Sequence, residues 1–203
     1  MNMALEEVLV LMRAMESQPL HVAQVTNLAL QLFDGLCSLH GLGERERLLL
    51  EAAGYLHDIG HQFDHLKTGH HKESARMIRQ HPWTHFSPRE VSLIAQVARY
   101  HRKSTPKIRH EDFAMLSADD RLVVQRLGAV LRIADSLDRT HEQHVSRVMT
   151  EILPGKLVFK LEANGPVLRE AITASLKGDL AREVFQRELV FMAAGEVIDT
   201  RVS

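Results

Sequence analysis

The sequence predicts a mainly α fold, a helical bundle followed by a small α+β tail. Apolar residues recur at three- and four-residue intervals from Leu5 to Leu137, the period of helices that each bury one face. Start signals punctuate that pattern, above all Ser87-Pro88-Arg89-Glu90, which offers a serine cap, a proline at the first helical position and a glutamate at the third. From about Val145 the pattern changes to alternation, the mark of strands. The chain therefore divides into an expected helical body, residues 1–143, and an expected α+β appendage, residues 144–203. Its 203 residues, 45% of them hydrophobic, are enough to bury a full core.

Leu5, Val8, Leu9 and Met12 place a first helix over residues 3–15. Ser17 reads as the cap and Pro19 as the first turn of a second, which runs to about His40 with His21, Val25, Leu28, Leu32 and Leu36 on its apolar face. Gly41 and Gly43 end it. The next starts near Glu44 and carries Leu48, Leu49, Leu50, Ala52, Ala53 and Leu56 into His57-Asp58, where Gly60 lets the chain turn. Residues 61–70 read as a loop, and Lys72 to Gln80 as a helix with Ala75, Met77 and Ile78 inward and His71 at its start. After the Ser87 start signal, Val91, Ile94, Val97, Ala98 and His101 lie on or near one face, and Pro106 forbids continuation without a kink. Ser117 caps a further helix whose inward positions are Leu122, Val123, Leu127, Val130, Leu131, Ala134 and Leu137. Asp135, four residues beyond Leu131, puts a carboxylate on that buried stripe. In the tail, residues 145–152 and 156–161 form a hairpin through Pro154-Gly155, residues 168–185 a helix interrupted at Gly178, and residues 188–192 a last strand.

A net charge of −1 gives no global argument for a specific nucleic acid or an anionic membrane surface. No apolar run approaches the roughly 20 residues that span a bilayer, and a start carrying Glu6 and Glu7 is no signal peptide. The single Cys37 excludes an intramolecular disulfide, is expected to pack as a small hydrophobe, and suits a cytoplasmic setting. The unusual count is 13 histidines, eight of them between His57 and His101. Histidine serves metals and protons.

His21, His57, Asp58 and Asp135 occupy inward or near-inward positions on three helices. Each has an ordinary reading by itself: His21 or His101 as a hydrogen-bonded core histidine, Asp135 as an aspartate paired with Arg132 or Arg139. Together those readings require four coincidences, whereas one metal explains all four. A mixed imidazole and carboxylate set suits Mn, Fe, Co, Ni or Zn, with Mg also admissible. His71 and His101 could complete the shell of a second ion, with Asp58 bridging the two. Such a site activates water and holds a phosphoryl oxygen, which makes His57 and Asp58 the candidate catalytic pair. His61 and His65 repeat the four-residue spacing from His57, but Gly60 argues that they are loop residues. His70 competes with His71, which is preferred because Lys72-Glu73-Ser74-Ala75 fixes it at a helix start. His81, His85, His110, His141 and His144 are expected on the surface or in loops. The run Arg99-Tyr100-His101-Arg102-Lys103 is by default a solvated loop, and its contiguity with His101 makes Arg102 and Lys103 candidate phosphate ligands.

The ordered set His21, His57-Asp58, His71, His101 and Asp135 resembles the HD-domain metal-dependent phosphohydrolases, an all-α superfamily. More closely, Leu56-His57-Asp58-Ile59-Gly60, His70-His71-Lys72, Ser87-Pro88-Arg89-Glu90, Arg99-Tyr100-His101-Arg102-Lys103 and Ala134-Asp135-Ser136-Leu137-Asp138-Arg139 are similar to the C-terminal HD region of the exopolyphosphatase and guanosine-pentaphosphate phosphatase (Ppx/GppA) family, from about residue 15 onward. The resemblance implies that His21, His57, Asp58 and Asp135 hold a primary metal, that His71 and His101 hold a second, and that Arg102 and Lys103 meet phosphate. Glu73 departs from it, standing where the family frequently has another histidine. The family's N-terminal actin-like phosphatase domain, which carries the polyphosphatase activity, has no counterpart in the sequence, so the expectation is a free-standing HD domain.

The expected function is thus a metal-dependent phosphohydrolase acting on a small phosphorylated or nucleotide-like substrate, with one or two divalent ions. The alternative is a non-catalytic module that binds polyphosphate or an alarmone. A di-iron oxygenase is a third, weaker option. The expected partners are a small phosphorylated substrate or phosphate, with a homodimer allowed and neither a membrane nor a specific nucleic acid.

Overall fold

A computed structural model describes residues 2–63 and 69–200; His65 lies outside them. Helix α1 (Met3–Met15) opens on Asn2, whose side chain accepts from the Ala4 amide at 3.0 Å. Helix α2 (Pro19–Gly35) begins with proline as expected, but Gln18 rather than Ser17 is its N-cap, and no side chain caps it. Proline at the first position has no N–H to satisfy, so a cap matters less there. The helix stops at Leu36 instead of running to His40, and a single turn, α3 (Cys37–His40), follows. The break turns Cys37 off the buried stripe, and the thiol is exposed, not packed as expected.

Helix α4 (Glu44–Leu56) leads into His57-Asp58. Helix α5 (His70–Gln80) starts two residues earlier than the pattern suggested, so His70 and His71 both lie in its first turn. Helix α6 (Pro88–Arg99) carries the anticipated reciprocal cap: the Glu90 carboxylate accepts from the Ser87 amide at 2.8 Å while Ser87 Oγ accepts from the Glu90 amide at 3.3 Å. After the short α7 (Glu111–Ala114), Ser117 caps α8 (Ala118–Ser136) by accepting from the Asp120 amide at 3.1 Å. Val124, Leu127, Val130, Leu131, Ala134 and Leu137 are buried along or just beyond α8, whereas Leu122, expected inward, is exposed. Five residues separate Leu122 from Leu127, which turns the two about 140° apart on a helix of 3.6 residues per turn.

The bundle core lies where α2 packs on α4 and α8, and α6 on α4, α5 and α8. Leu28, Leu32, Leu50, Leu56 and Leu127 are fully buried there, each contributing about 1.5–3 kcal/mol by leaving water. Gly54 lets α4 close on α2, since a Cβ at that position would stand 2.6 Å from Thr26 Oγ1. That approach brings the end of α4 beside the start of α8's partner helix, where His21 sits.

The tail begins as the expected hairpin, β1 (Val145–Leu153) antiparallel to β2 (Lys156–Ala163). Helices α9 (Leu168–Lys177) and α10 (Asp179–Phe185) follow, broken at Gly178 as expected. They return the chain so that β3 (Glu188–Ala193) pairs parallel with β2, and a two-residue β4 (Glu196–Val197) completes the order β1-β2-β3-β4. Phe159 and Phe191 face each other in register, ring centroids 5.2 Å apart. Strand β1 packs on α2, and both tail helices pack on α8. The fold is mainly α with a small sheet near the C-terminus. Among the described residues, no helix is long and apolar enough to cross a membrane.

Candidate functional site

Three imidazoles point into one space between the helices, and each is held from behind. His57, one residue past α4, has its Nδ1 2.7 Å from the Gly54 carbonyl. His101, two residues past α6, has its Nδ1 2.7 Å from the Ala98 carbonyl. His21, in the first turn of α2, has its Nδ1 2.8 Å from Asp138 Oδ2. A carbonyl or carboxylate oxygen can only accept, so each Nδ1 donates and each Nε2 is left with a lone pair when the ring is neutral. Asp138 is fully buried and also accepts from the Gln143 amide at 2.8 Å. It stands three residues beyond Asp135, a helical spacing that could have marked it as a partner of the site.

The three Nε2 atoms face the carboxylates of Asp58 and Asp135. Asp135 Oδ1 lies 3.6 Å from His21 Nε2 and 3.8 Å from His57 Nε2. Asp58 places Oδ2 3.8 Å from His57 Nε2 and Oδ1 3.5 Å from His101 Nε2. His21 Nε2 and His57 Nε2 are buried with no hydrogen-bond partner, a costly condition in a protein interior. Ligands of a four-coordinate ion bound at about 2.1 Å stand roughly 3.4 Å from one another, close to the separations seen here. The residues therefore fit a transition-metal ion, with His21, His57 and Asp135 as one set and His57, Asp58 and His101 as an overlapping one.

The electrostatics favour a cation in the same place. Burial opposes a charge on Asp58, but His57 foremost, then His70 and His101, hold its carboxyl well below the usual carboxylate range. Burial likewise opposes ionisation of Asp135, and His21 and Lys177 outweigh it. At His21 burial works against the imidazolium, yet Asp135 and Asp138 push its pKa up to about 9. His101 is pushed down to about 3, by burial first and by His57 second.

Of the two neighbouring histidines, His70 is the one that approaches Asp58 and His101. Its Nε2 is 3.1 Å from Asp58 Oδ1 and 3.4 Å from His101 Nε2. His71 is buried against Gly69, 6.3 Å from the His101 ring by centroid, and neither it nor His70 belongs to the two three-residue sets. Residues 57–60 make the expected turn, and Gly60 adds a close approach that explains the arrangement. A Cβ at Gly60 would lie 2.4 Å from the Ser74 amide and 2.7 Å from the His70 carbonyl. The bare backbone instead donates to Ser74 Oγ at 3.0 Å, which clamps the first turn of α5 to the His57-Asp58 turn.

Above this floor opens a pocket of about 280 Å³ with a cationic rim of Arg102, Lys103, Arg139 and Lys177; His61 and His141 complete its wall. Arg102 reaches His70, its Nη1 3.1 Å from Nε2. His141, expected on the surface, stacks on His21 with centroids 3.8 Å apart. Lys177, from the end of α9, donates to Asp135 Oδ2 at 2.8 Å. It replaces both arginines considered as partners for Asp135. Arg132 is buried and bound elsewhere: Nε to the Lys177 carbonyl at 3.2 Å, Nη1 to the Tyr100 and Lys103 carbonyls at 3.1 Å each, and Nη2 to Asp179 at 2.8 Å. Lys103 has a left-handed backbone, φ 57°, a conformation that costs a non-glycine residue about 1–2 kcal/mol. The local pattern around Lys177 gives no signal of its place in the site, because a fold-level return of the tail brings it there.

Among families of known proteins, the model described as Ppx/GppA phosphatase, domain III, matches residues 7–183. A comparison with curated proteins finds no match.

Proposed function

The chain belongs to the Ppx/GppA phosphatase family, and from that membership we propose that it is a metal-dependent phosphohydrolase of the HD type, acting on a small phosphorylated or nucleotide-like substrate. The observation that carries this reading is the convergence of three imidazoles, each with Nδ1 committed, on two carboxylates, with His21 Nε2 and His57 Nε2 lacking partners. His21, His57 and Asp135 would hold one divalent ion, Asp58 and His101 with His70 a second, and Asp58 would bridge them. Bound there, such an ion supplies Lewis acidity toward a phosphoryl oxygen and makes a coordinated water more acidic.

The chain's own groups do the rest. Ionised Asp58 and Asp135 supply the negative charge that would hold such ions against the buried imidazoles. The Nδ1 bonds of His21, His57 and His101 keep the rings from rotating and fix their tautomers. Arg102 and Lys103 neutralise and orient the phosphoryl group at the rim.

Elemental analysis of the purified protein beside His57→Ala and Asp58→Ala tests the reading, together with turnover on a phosphoester panel after loading with Mn, Fe, Co or Ni in turn. Stoichiometric metal in the wild type, its loss from both variants and metal-dependent phosphate release are expected. Metal retained by both folded variants would overturn it. The four-cation rim also favours a second reading, a module that binds polyphosphate or an alarmone without turnover, which predicts saturable anion binding and no product with any metal.

A further inference from the structure

Asp135 divides its two oxygens. Oδ1 faces His21 and His57, while Oδ2 takes the ammonium of Lys177 at 2.8 Å. Lys177 can thus stay on Oδ2 when Oδ1 serves a cation. An ammonium has three N–H donors, and among the described residues Asp135 is the acceptor found for this one. The other two are left at the wall of the pocket, which Lys177 lines together with Lys103. A lysine needed only to balance a buried carboxylate has no reason to border the open space.

Both lysines are held by the same buried guanidinium. Arg132 binds the carbonyl of Lys177, at the end of α9, and the carbonyls of Tyr100 and Lys103 in the turn after α6. Its fourth partner, Asp179, fixes the start of α10. One planar fork therefore joins the two chain segments that carry rim cations, and it holds Lys103 in its left-handed backbone.

We infer that Lys177 is a phosphate ligand of this pocket and that Arg132 is the positioning residue that sets Lys177 and Lys103 at their places on its rim. The inference rests on the reading of the pocket as a phosphoester site, and it assigns part of that site to the tail.

The test is calorimetric titration of the whole protein with inorganic phosphate, metal-free and metal-loaded, with bound metal measured in parallel. Lys177→Ala should weaken phosphate binding about tenfold or more, the size of one charge-assisted hydrogen bond, with metal content unchanged. Lys177→Arg should restore most of the affinity. Arg132→Lys, which keeps both rim lysines, should weaken binding as well, and the double variant Arg132→Lys/Lys177→Ala should lose less than the product of the single losses. Phosphate affinity in Lys177→Ala within about twofold of wild type would overturn the role of Lys177. So would loss of the metal in that variant, which would make Lys177 an orienting partner of Asp135 and not a phosphate ligand, or failure of the wild type to bind phosphate in either state. Losses that multiply fully in the double variant would overturn the positioning role of Arg132. A wild type that binds phosphate but no metal would sink the metal-dependent reading while the titration still decides the inference.

Discussion

On the floor of the pocket, His21, His57 and Asp135 hang from three helices that share one apolar core. On its rim, Lys103 projects from a turn in a left-handed conformation and Lys177 from the last residue of a tail helix. The floor inherits its geometry from side chains packed on every side, and rotation of any helix would disturb several buried leucines. These two rim lysines depend on a few polar bonds through Arg132. The two regions should therefore fail differently: floor variants lose the cation, whereas rim variants keep it and lose the anion.

The largest effect separates them most cleanly. His57→Ala or Asp58→Ala should lower metal affinity by roughly 100-fold or more, above the range for losing an outer partner, and metal titration followed by equilibrium dialysis would measure it. Asp138→Ala comes next, since it frees the His21 ring without touching the set of ligand atoms. A fall of about 10–100-fold in metal affinity is expected, and an unchanged affinity would mean that packing alone orients His21. His70→Ala should lower occupancy of a second ion by about tenfold while His71→Ala leaves it unaffected, as elemental analysis of the two would reveal; the opposite order would return the ligand role to His71.

The smallest effect lies away from both regions, at the start of α6, and serves as the control. Ser87→Ala should cost about 1 kcal/mol of stability with no change in metal content. The partner in that cap also has a pH signature. Arg45 above all, against the opposing burial, holds the Glu90 carboxyl down at about 2, below its ordinary 4.5. A depressed carboxylate contributes its stability above the unfolded value, so this contribution is complete above about pH 4.5 and is lost as pH falls toward about 2. The stability difference between wild type and Glu90→Gln, followed by denaturant unfolding, should shrink across that window; a constant difference would remove the pair from the account.

Most of the floor was legible in the sequence because helical period reports which face is buried, and a His or Asp on that face stands out. His21, His57 and Asp135 were found that way, as was the capping box at Ser87. Asp58 followed from adjacency. What period could not decide was which of two neighbouring histidines faces Asp58 and the pocket, since that depends on the contact of Gly60 with the start of α5, about ten residues on in sequence. Nor could it see Lys177 and Arg132, whose roles arise from the tail's return onto α8. Leu122 and Cys37 were misplaced for a simpler reason: one lies too far around its helix, and the other follows a break at Leu36 that interrupts the stripe.

The parallel pairing of β2 with β3 has a consequence in time. A hairpin can close as soon as its second strand exists, but a parallel pair must wait for the whole crossover between its strands. Lys177 lies in that crossover. On a ribosome every candidate ligand from His21 to Asp135 has been made before Glu188 is added, and β3 comes only afterwards. A nascent chain paused in between would hold all the imidazoles and carboxylates of the floor, yet lack the strand that closes the crossover in which Lys177 lies.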